Sequence, residues 1–284
     1  MPVIPSQDSY LKVPIVKEDQ ALPVAIAPIP DSSINQLIAQ FSKEFSFVLA
    51  ISEEDKLKAY MLRHEVFIKE LGYHMSTVKG RALEVDEYDA SAAQCILIHN
   101  ETGVTAGCFR IVSPYSIDGL AKSHLPVEQH GHEGISHSTL HPEMMPRNRI
   151  CEASRLAISW QFRHQLKEPS EEISKGLAKG CPAIRLILPS LFLAAYSLAE
   201  LLGNSHLYAM MSPTLPRLLK KSGFNFIKLG DTIEFHGRRN VFYINRDLAD
   251  SGMQNDFTPL HQHIYQQLAS QITCYLSGKG TDIA

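Results

Sequence analysis

The sequence lacks the short patterns that identify several common classes of protein. Its 284 residues contain no CxxC pair, no GxSxG segment and no glycine-rich phosphate loop, so zinc-ribbon, serine-hydrolase and P-loop interpretations have no support. The net charge of −3 gives no support for nucleic-acid binding. No run reaches the ~18 apolar residues of a membrane span, and the start lacks the pattern of a signal peptide. We therefore predict a cytoplasmic protein with no nucleic-acid partner.

Cysteine is scarce, and its distribution argues against a disulfide framework. There are five cysteines, an odd number, and most stand beside apolar residues. They are Cys95, Cys108, Cys151, Cys181 and Cys274. We interpret them as reduced, mostly buried thiols, with a catalytic cysteine as the alternative. The composition, 44% hydrophobic and 20% charged, is that of an ordinary globular protein.

Proline and histidine divide the chain into regions. Residues 1–30 hold six prolines, which predicts an extended or poorly ordered arm. Residues 31–284 are predicted to form a single domain with insertions at about 113–148 and 163–182. The first insertion is rich in histidine, which leaves a metal site open, but a flexible loop or lid fits the irregular spacing better. Its histidines are His124, His130, His132, His137 and His141.

Hydrophobic periodicity predicts a mixed α/β (α+β) fold with a largely antiparallel, twisted sheet flanked by helices. Ser52 can cap a helix that Gly72 stops, and residues 100–103 read as a hairpin turn. Strands are predicted at residues 45–51, 94–99, 104–112, 149–160, 206–211, 226–236 and 240–245. Helices are predicted at residues 31–44, 53–71, 184–202, 214–222 and 256–276. The apolar helix at 184–202 could line an acyl tunnel, although such a helix is more often plain core.

The most informative feature is a set of charges spread over several predicted elements. Acidic residues crowded into one loop repel one another unless cations lie nearby, and charges in strands are costly to bury unpaired. The acids are Glu84, Asp86 and Asp89, and the candidate cations are Arg63, Arg110 and Arg155. Two interpretations stay open. One is a structural ion-pair network, and the other is a site that orients a small amine beside a carboxylate that takes its proton.

Glu152 and Arg155 add a second charged pair on a predicted strand. Side chains three apart on a strand point to opposite faces unless a bulge intervenes. One of the two would then face a cleft and the other the acidic loop. With no nucleophile motif, direct attack by an amine on an activated acyl group suits this set.

The order and spacing of these residues resemble a known family. The segments Arg63-x-x-x-Phe67, Glu84-x-Asp86-x-x-Asp89, Arg110 and Glu152-x-x-Arg155 resemble the pattern of the acyl-homoserine-lactone (autoinducer) synthases. With the N-acyl amino acid synthases, these form a branch of the GNAT acyltransferase superfamily. The match covers about residues 52–158. The chain is longer than is usual for an autoinducer synthase, and Tyr73 stands near the place of a characteristic tryptophan. In its length and in this replacement, the chain is most similar to the acyltransferases associated with the PEP-CTERM/exosortase system.

The resemblance implies a GNAT-like sheet with a splayed-strand cleft and a defined reaction. A long acyl chain would pass from acyl carrier protein, or from acyl-CoA, to the amine of an amino acid, giving an N-acyl amino acid. No tightly bound cofactor and no metal is implied. The alternatives are a lactone synthase that uses S-adenosylmethionine and a non-enzymatic member that binds an acyl ligand or a partner. A homodimer and peripheral contact with a membrane are left open.

The same resemblance implies roles for individual residues. Glu152 would be the general base, and backbone N–H groups of Leu156, Ala157 and Ile158 would polarise the thioester carbonyl. The acceptor-binding residues would be Arg63, Phe67, Glu84, Asp86, Asp89, Arg110 and Arg155. A basic surface would dock the acidic carrier protein, and its candidate residues are Arg217, Lys220, Lys221, Arg238 and Arg239.

Overall fold

An eight-stranded sheet forms the centre of the protein in the computed structural model, which describes residues 31–114, 124–167, 182–220, 222–252 and 257–280. The strand order is β1-β2-β3-β4-β5-β8-β6, and β7 pairs with β8. All of these pairs are antiparallel except β4 with β5. The strands are β1 Phe45–Leu49, β2 Ala93–His99, β3 Thr105–Val112, β4 Ile150–Ile158, β5 His206–Met211, β6 Ile227–Lys228, β7 Ile233–Glu234 and β8 Arg238–Asn245. The largely antiparallel mixed sheet predicted from the sequence is therefore confirmed.

Helices cover both faces of this sheet. One face packs against α1, α5 and α8 in the main hydrophobic core. The other face is covered by α2, the π-helix that follows it, and the segment 124–149. The helices are α1 Asp31–Glu44, α2 Glu53–Arg63, the π-helix His64–Glu70, α3 Pro126–His130, α4 Trp160–Lys167, α5 Ile187–Leu201, α6 Leu215–Lys220, α7 Arg246–Gly252 and α8 Thr258–Gly280.

The helix α5 is apolar on all sides because it is enclosed by other elements. The stretch Ala183–Leu201 is 19 residues long and contains an 18-residue window with a mean hydropathy of 1.5, enough by length and composition to cross a membrane. The expectation that no stretch reaches this level was wrong. In the structure, 83% of its most apolar window is buried inside the protein, as in the core helix of a globular domain.

The helix that carries Arg63 changes type along its length. Ser52 caps it as predicted, since the Asp55 N–H donates to Ser52 Oγ at 3.1 Å. From His64 the backbone winds as a π-helix, a form that is rare and often found at functional sites. Gly72, at φ +67°, follows the end of the π-helix.

Several boundaries differ from the sequence-based expectations. β4 ends at Ile158 and Trp160 begins α4, so the predicted strand 149–160 is too long. The described part of the histidine-rich insertion is not a loose loop, because Leu125 and Val127 are 0% exposed and pack against β5 and β8. The arm 1–30 and residues 115–123 and 168–181 lie outside the described residues, and the proposed domain division stays a prediction.

Candidate active site

A bulge in β4 places the charged residues of that strand. Cys108 pairs with Ala157 and Arg110 with Ser154, so two β4 residues, Arg155 and Leu156, stand opposite one residue of β3. Arg155 has φ +54°, in the left-handed region that non-glycine residues seldom occupy. The bulge breaks the strand alternation and brings the Arg155 side chain to the loop that Arg110 also contacts.

Three arginines and three carboxylates form one ion network beneath this bulge. Arg63 donates to Asp89 through two nitrogens, at 2.7 and 2.8 Å, and Arg63 Nε donates to Glu84 at 2.5 Å. Arg110 donates to Asp86 through two nitrogens, at 2.5 and 2.8 Å, and to Asp89 at 2.7 Å. These bidentate pairs are the strong form of the arginine–carboxylate contact.

Arg155 closes the network from β4. Its Nε donates to Glu84 at 3.1 Å and its Nη2 to Asp86 at 2.7 Å. Because three positive groups meet three negative groups, the network carries no net charge. Arg63, Glu84 and Arg110 are each 0% exposed, so the network behaves as a buried structural unit.

The network holds Asp86 and Asp89 in the charged form. Hydrogen bonds and charge from Arg63 and Arg110 keep the pKa of Asp89 well below its usual range despite its burial. Arg110 and Arg155 do the same for the pKa of Asp86, also against the effect of burial. Asp86 and Asp89 are therefore bound to arginine as carboxylates, and neither is placed to take up a substrate proton.

Glu152 lies outside the network, and its pKa is raised, whereas the pKa values of Asp86 and Asp89 are lowered. It is 2% exposed, and its Oε2 accepts a hydrogen bond of 2.6 Å from the Val127 backbone N–H. Burial raises the pKa of Glu152 to about 8, although the Val127 N–H, Arg110 and Arg155 act in the other direction. A carboxyl group with this pKa can exchange a proton near neutral pH.

Beside Glu152 the sheet opens into a cleft. β4 pairs with β5 only from Ile150 to Glu152, and the two strands separate beyond that point. The cleft between them has a volume of about 200 Å³. Its lining runs from polar groups such as Glu152 and Arg155 to apolar groups such as Phe192 and Ala195 of α5. A splayed pair of strands with one polar end and one apolar end can receive an extended thioester with its acyl chain.

Aromatic and basic side chains form the polar mouth of this cleft. Tyr73 stacks between Phe67 and His236, with ring centroids 6.4 and 5.1 Å away. Arg239 Nη2 donates to the Tyr73 hydroxyl at 2.9 Å, and His130 stacks on Phe235. His236 and Gly237 form the turn before β8 with φ of +50° and +88°.

The predicted site residues fall into two groups in the structure. Those that line the cleft are Phe67, Glu152, Arg155, Leu156, Ala157 and Ile158. Those of the buried network that do not line it are Arg63, Glu84, Asp86, Asp89 and Arg110. The structure thus brings all of the predicted charges together and separates the residues that can meet a ligand from those that hold the loop. Arg155 belongs to both sets.

Several residues at the mouth of the cleft were not predicted from the sequence. His130 and His236 line the cleft, and Arg239 lines it rather than joining an outer surface with Arg238. A positive φ at His236 followed by Gly237 is a sign of a tight turn, but no local signal shows that the turn reaches the cleft. Of the other proposed docking residues, Arg217 and Lys220 are exposed on α6, and Lys221 lies outside the described residues.

The cysteines among the described residues do not line the cleft. Cys95, Cys108 and Cys151 are buried thiols, Cys274 is exposed, and Cys181 lies outside the described residues. Burial raises the pKa of Cys108 to about 12, which is unsuited to a nucleophile. Within the part of the chain that the structure describes, no group of three or more His, Cys, Asp or Glu side chains could hold a metal ion.

Comparisons with known proteins agree with this architecture. A family model described as an acetyltransferase (GNAT) domain matches residues 62–168. An acyl-homoserine-lactone synthase from Pseudomonas chlororaphis is 25% identical over 181 residues, which are 63% of this chain and 74% of that protein.

Solved structures with a similar arrangement include two synthases. The AHL synthase LasI has a TM-score of 0.49 at 16% identity, over 74% of this chain and 95% of that chain. FeeM, an N-acyl amino acid synthase from uncultured soil microbes, has a TM-score of 0.45 at 15% identity, over 74% of this chain and 94% of that chain. Residues 62–168 therefore resemble a GNAT acetyltransferase domain, and the chain is similar in sequence to an acyl-homoserine-lactone synthase.

Proposed function

We propose that the protein transfers an acyl group from a thioester to the amine of an amino acid, forming an N-acyl amino acid. The observation that carries the proposal is Glu152, a buried carboxyl group with a pKa near 8 at the point where β4 and β5 separate. A base there can take a proton from an amine that meets an acyl group lying between the strands.

The proposed step needs no covalent enzyme intermediate. The amine nitrogen attacks the thioester carbonyl carbon, a C–N bond forms and the C–S bond breaks. Glu152 accepts one proton of the attacking neutral amine and passes it to the departing thiolate, which leaves as the free thiol. In this proposal, backbone N–H groups of Leu156, Ala157 and Ile158 stabilise the negative charge that develops on the carbonyl oxygen, as preorganised donors do in oxyanion holes.

The acyl donor in this proposal is acyl carrier protein or coenzyme A, either of which presents its acyl group on a phosphopantetheine arm. Met211 and Ser212 line the cleft, and α6 follows them in the chain. Arg217 and Lys220 are exposed on α6 and three residues apart, so they lie on one face. They are our candidates for contact with the acidic carrier protein.

The acceptor pocket in this proposal lies at the polar mouth, where Phe67 and Arg155 line the cleft. Arg63, Glu84, Asp86, Asp89 and Arg110 act on it indirectly, by holding the acidic loop and the bulge. The proposal also includes two finer assignments. The resemblance suggests a link to the PEP-CTERM/exosortase system, and the scattered cysteines suggest a cytoplasmic location.

A lactone synthase is the second candidate, because the relative from Pseudomonas chlororaphis is an acyl-homoserine-lactone synthase. Such an enzyme acylates S-adenosylmethionine and then closes a lactone. Both candidates share the acyl-transfer step at Glu152 and differ in the acceptor and in the lactone closure, so the product distinguishes them.

Mass spectrometry of lipid extracts from cells expressing the protein tests the proposal. We expect a new N-acyl amino acid with the wild type and with Glu101→Gln, a change at an exposed turn residue, and none with Glu152→Gln. An acyl-homoserine lactone would favour the second candidate. If the extracts contain no new acylated amine and the purified protein releases no thiol from a panel of acyl donors, both proposed enzymes are wrong. The result would then favour a non-enzymatic protein that binds an acyl ligand or a partner.

A further inference from the structure

The short helix α3 forms one wall of the cleft and supplies a hydrogen bond to Glu152. Pro126 and His130, the first and last residues of α3, line the cleft. Between them, the Val127 backbone N–H donates to Glu152 Oε2 at 2.6 Å. This hydrogen bond stabilises the carboxylate form and opposes the rise in pKa that burial causes. The position of α3 therefore affects how readily Glu152 takes up a proton.

An ion pair connects α3 to the chain just before β4. The Glu128 carboxylate accepts two hydrogen bonds from Arg147, at 2.5 and 2.9 Å, and one of 2.7 Å from the Leu125 backbone N–H. A bidentate contact of this kind is strong and restricted in geometry. Because the Glu128 side chain is only 7% exposed, water and salt screen this pair less than a surface pair. Residues 147–149 form a 3-10 turn that leads directly into β4, so the pair joins α3 to the strand that carries Glu152.

A second contact holds α3 from the side of the acidic loop. The Tyr88 hydroxyl donates to Gln129 Oε1, and the Arg110 guanidinium carbon lies 5.7 Å from the centre of the Tyr88 ring. The buried cluster around α3 also includes residues of β5 and β8. The helix is therefore fixed from two directions, and the pair with Arg147 is its ionic connection to β4.

We propose that Glu128 and Arg147 are positioning residues, which keep the Val127 N–H aligned on Glu152 and so keep Glu152 able to act as a base. The inference rests on the proposed function, because it concerns the proton acceptor of the proposed acyl transfer. Without the ion pair, α3 would shift and the hydrogen bond to Glu152 would weaken. The buried carboxylate would then lose stabilisation, and a larger fraction of Glu152 would be protonated at neutral pH.

Charged and titratable groups from several elements surround Glu152. They are Arg110 on β3, Arg155 on β4, Tyr208 on β5, His130 on α3, and Asp86 and Tyr88 in the acidic loop. The largest charge effects on the pKa of Glu152 come from Arg110 and Arg155, which lower it, and from Asp86, which raises it. A change at Glu128 or Arg147 is therefore expected to act on Glu152 mainly through the position of α3.

Two single variants with opposite changes of charge test the assignment. Glu128→Gln removes a negative charge and Arg147→Gln removes a positive one. A direct effect of charge would lower the pKa of Glu152 in the first variant and raise it in the second. Loss of alignment would raise the pKa in both. We expect a rise in both variants, by about one pH unit each, as the partial loss of a charge-assisted hydrogen bond implies.

Two measurements follow the pKa of Glu152. The first is the ratio of variant to wild-type kcat/KM for thiol release across pH, in which the titration of the shared acceptor amine cancels. A rise of about one pH unit lowers this ratio about tenfold at pH 7 and lets it return toward the wild-type value at alkaline pH. The second is an NMR titration of isotope-labelled glutamate carboxyl carbons, in which Glu152→Gln identifies the Glu152 signal by its loss.

Two further variants make the result specific. Glu143→Gln changes an exposed carboxylate of the same segment, beside His141, and should behave as the wild type. Arg147→Lys keeps the positive charge but not the bidentate geometry, so it should cause a smaller rise in the pKa of Glu152 than Arg147→Gln. Circular dichroism and the unfolding midpoint establish that each variant is folded. If the two Gln variants at the ion pair do not fold, a rise with Arg147→Lys supports the assignment and an unchanged pKa overturns it.

Any result other than a rise in both folded Gln variants would overturn the assignment. Opposite shifts would show a direct effect of charge, and a rate lowered equally at every pH with an unchanged NMR titration would show a merely structural role. The NMR titration needs no activity, so it separates this failure from that of the proposed function. Rises by NMR in a protein that transfers no acyl group, or whose pH profile does not follow them, would refute the proposed role of Glu152 as a base. Acyl transfer with an unshifted Glu152 in both variants would refute only the positioning role.

Discussion

At the scale of single residues, the charged side chains of the site have two roles. Those of the buried network hold the acidic loop, and Glu152 can take up a proton. Asp89 is bound through both oxygens to Arg63 and its pKa is lowered, whereas Glu152 accepts one backbone hydrogen bond and its pKa is raised. The sequence shows both as acids near arginines. The difference arises from burial and partner number, which depend on contacts far along the chain.

The pH dependence of stability follows from the raised pKa of Glu152. A carboxyl group whose pKa is higher in the folded state favours folding in its protonated form, so this contribution is lost as pH rises from about 4.5 to about 8. Glu152→Gln should therefore be more stable than the wild type at pH 8, by at most about 5 kcal/mol, with the difference shrinking toward pH 5. Urea unfolding at several pH values measures this. A difference that does not change with pH would contradict the raised pKa.

The pH dependence of activity follows from the same group. Only the carboxylate form of Glu152 can take a proton, so kcat/KM should rise with pH and level off above about 8. Glu152→Gln should lower kcat/KM by about 100-fold or more and remove the inflection assigned to this group. A rate near that of the wild type, or an unchanged inflection, would remove Glu152 from the mechanism. Glu101→Gln serves as the matched control.

Asp89 tests the buried network. Asp89→Asn removes the charge that faces both Arg63 and Arg110 and leaves buried positive charge without its partner. We expect a loss of about 3–5 kcal/mol in the free energy of unfolding, measured with urea. Asp231→Asn, at an exposed position, should change it by less than about 0.5 kcal/mol. A loss below about 1 kcal/mol for Asp89→Asn would mean that the network does not hold the loop.

At the scale of elements, the bulge in β4 determines which residues share the site. Strand alternation alone would place the side chains of Glu152 and Arg155 on opposite faces of the sheet. A bulge changes this, but the sequence of β4 does not predict one. The register is fixed by β3, where Phe109 stands opposite two residues, and such non-local pairing cannot be read from β4 itself. The π-helix after Arg63 was not predicted either, because the apolar residues between 53 and 71 have the spacing of an ordinary α-helix.

The left-handed backbone at Arg155 gives a test of the bulge. Arg155→Gly and Arg155→Ala both remove the contacts to Glu84 and Asp86, but glycine adopts a positive φ without the cost that a Cβ brings. Arg155→Gly should be more stable than Arg155→Ala by about 1 kcal/mol in urea unfolding. The reverse order would mean that Arg155 does not hold this backbone conformation in solution.

At the scale of the whole molecule, the order of the strands produces the cleft. The hairpins and the helices at both ends follow from local patterns, and most were predicted to within a few residues. The separation of β4 from β5 depends on a parallel pairing that lasts only from Ile150 to Glu152. Strands distant in sequence meet there, so the mouth residues Tyr73, His130 and His236 could not be gathered from the sequence alone.

The depth of the cleft should limit the acyl chain. Ala195 lies on α5 at the apolar end, is 1% exposed and lines the cleft. Ala195→Phe should fill this end, and shorter acyl donors should then be preferred, at a cost in stability of about 1–3 kcal/mol. Rates across a series of acyl lengths measure the shift, with the shortest donors as the internal control. An unchanged length preference would place the acyl chain elsewhere.

A single competition reaction tests the proposed acyl transfer most directly. Purified protein is given a long-chain acyl donor together with a mixture of amino acids and S-adenosylmethionine, and the products are identified by mass spectrometry while free thiol is counted. We predict an N-acyl amino acid formed in equal amount with free thiol, and loss of both with Glu152→Gln. An acyl-homoserine lactone as the sole acylated product, or thiol release without any amide, would contradict it.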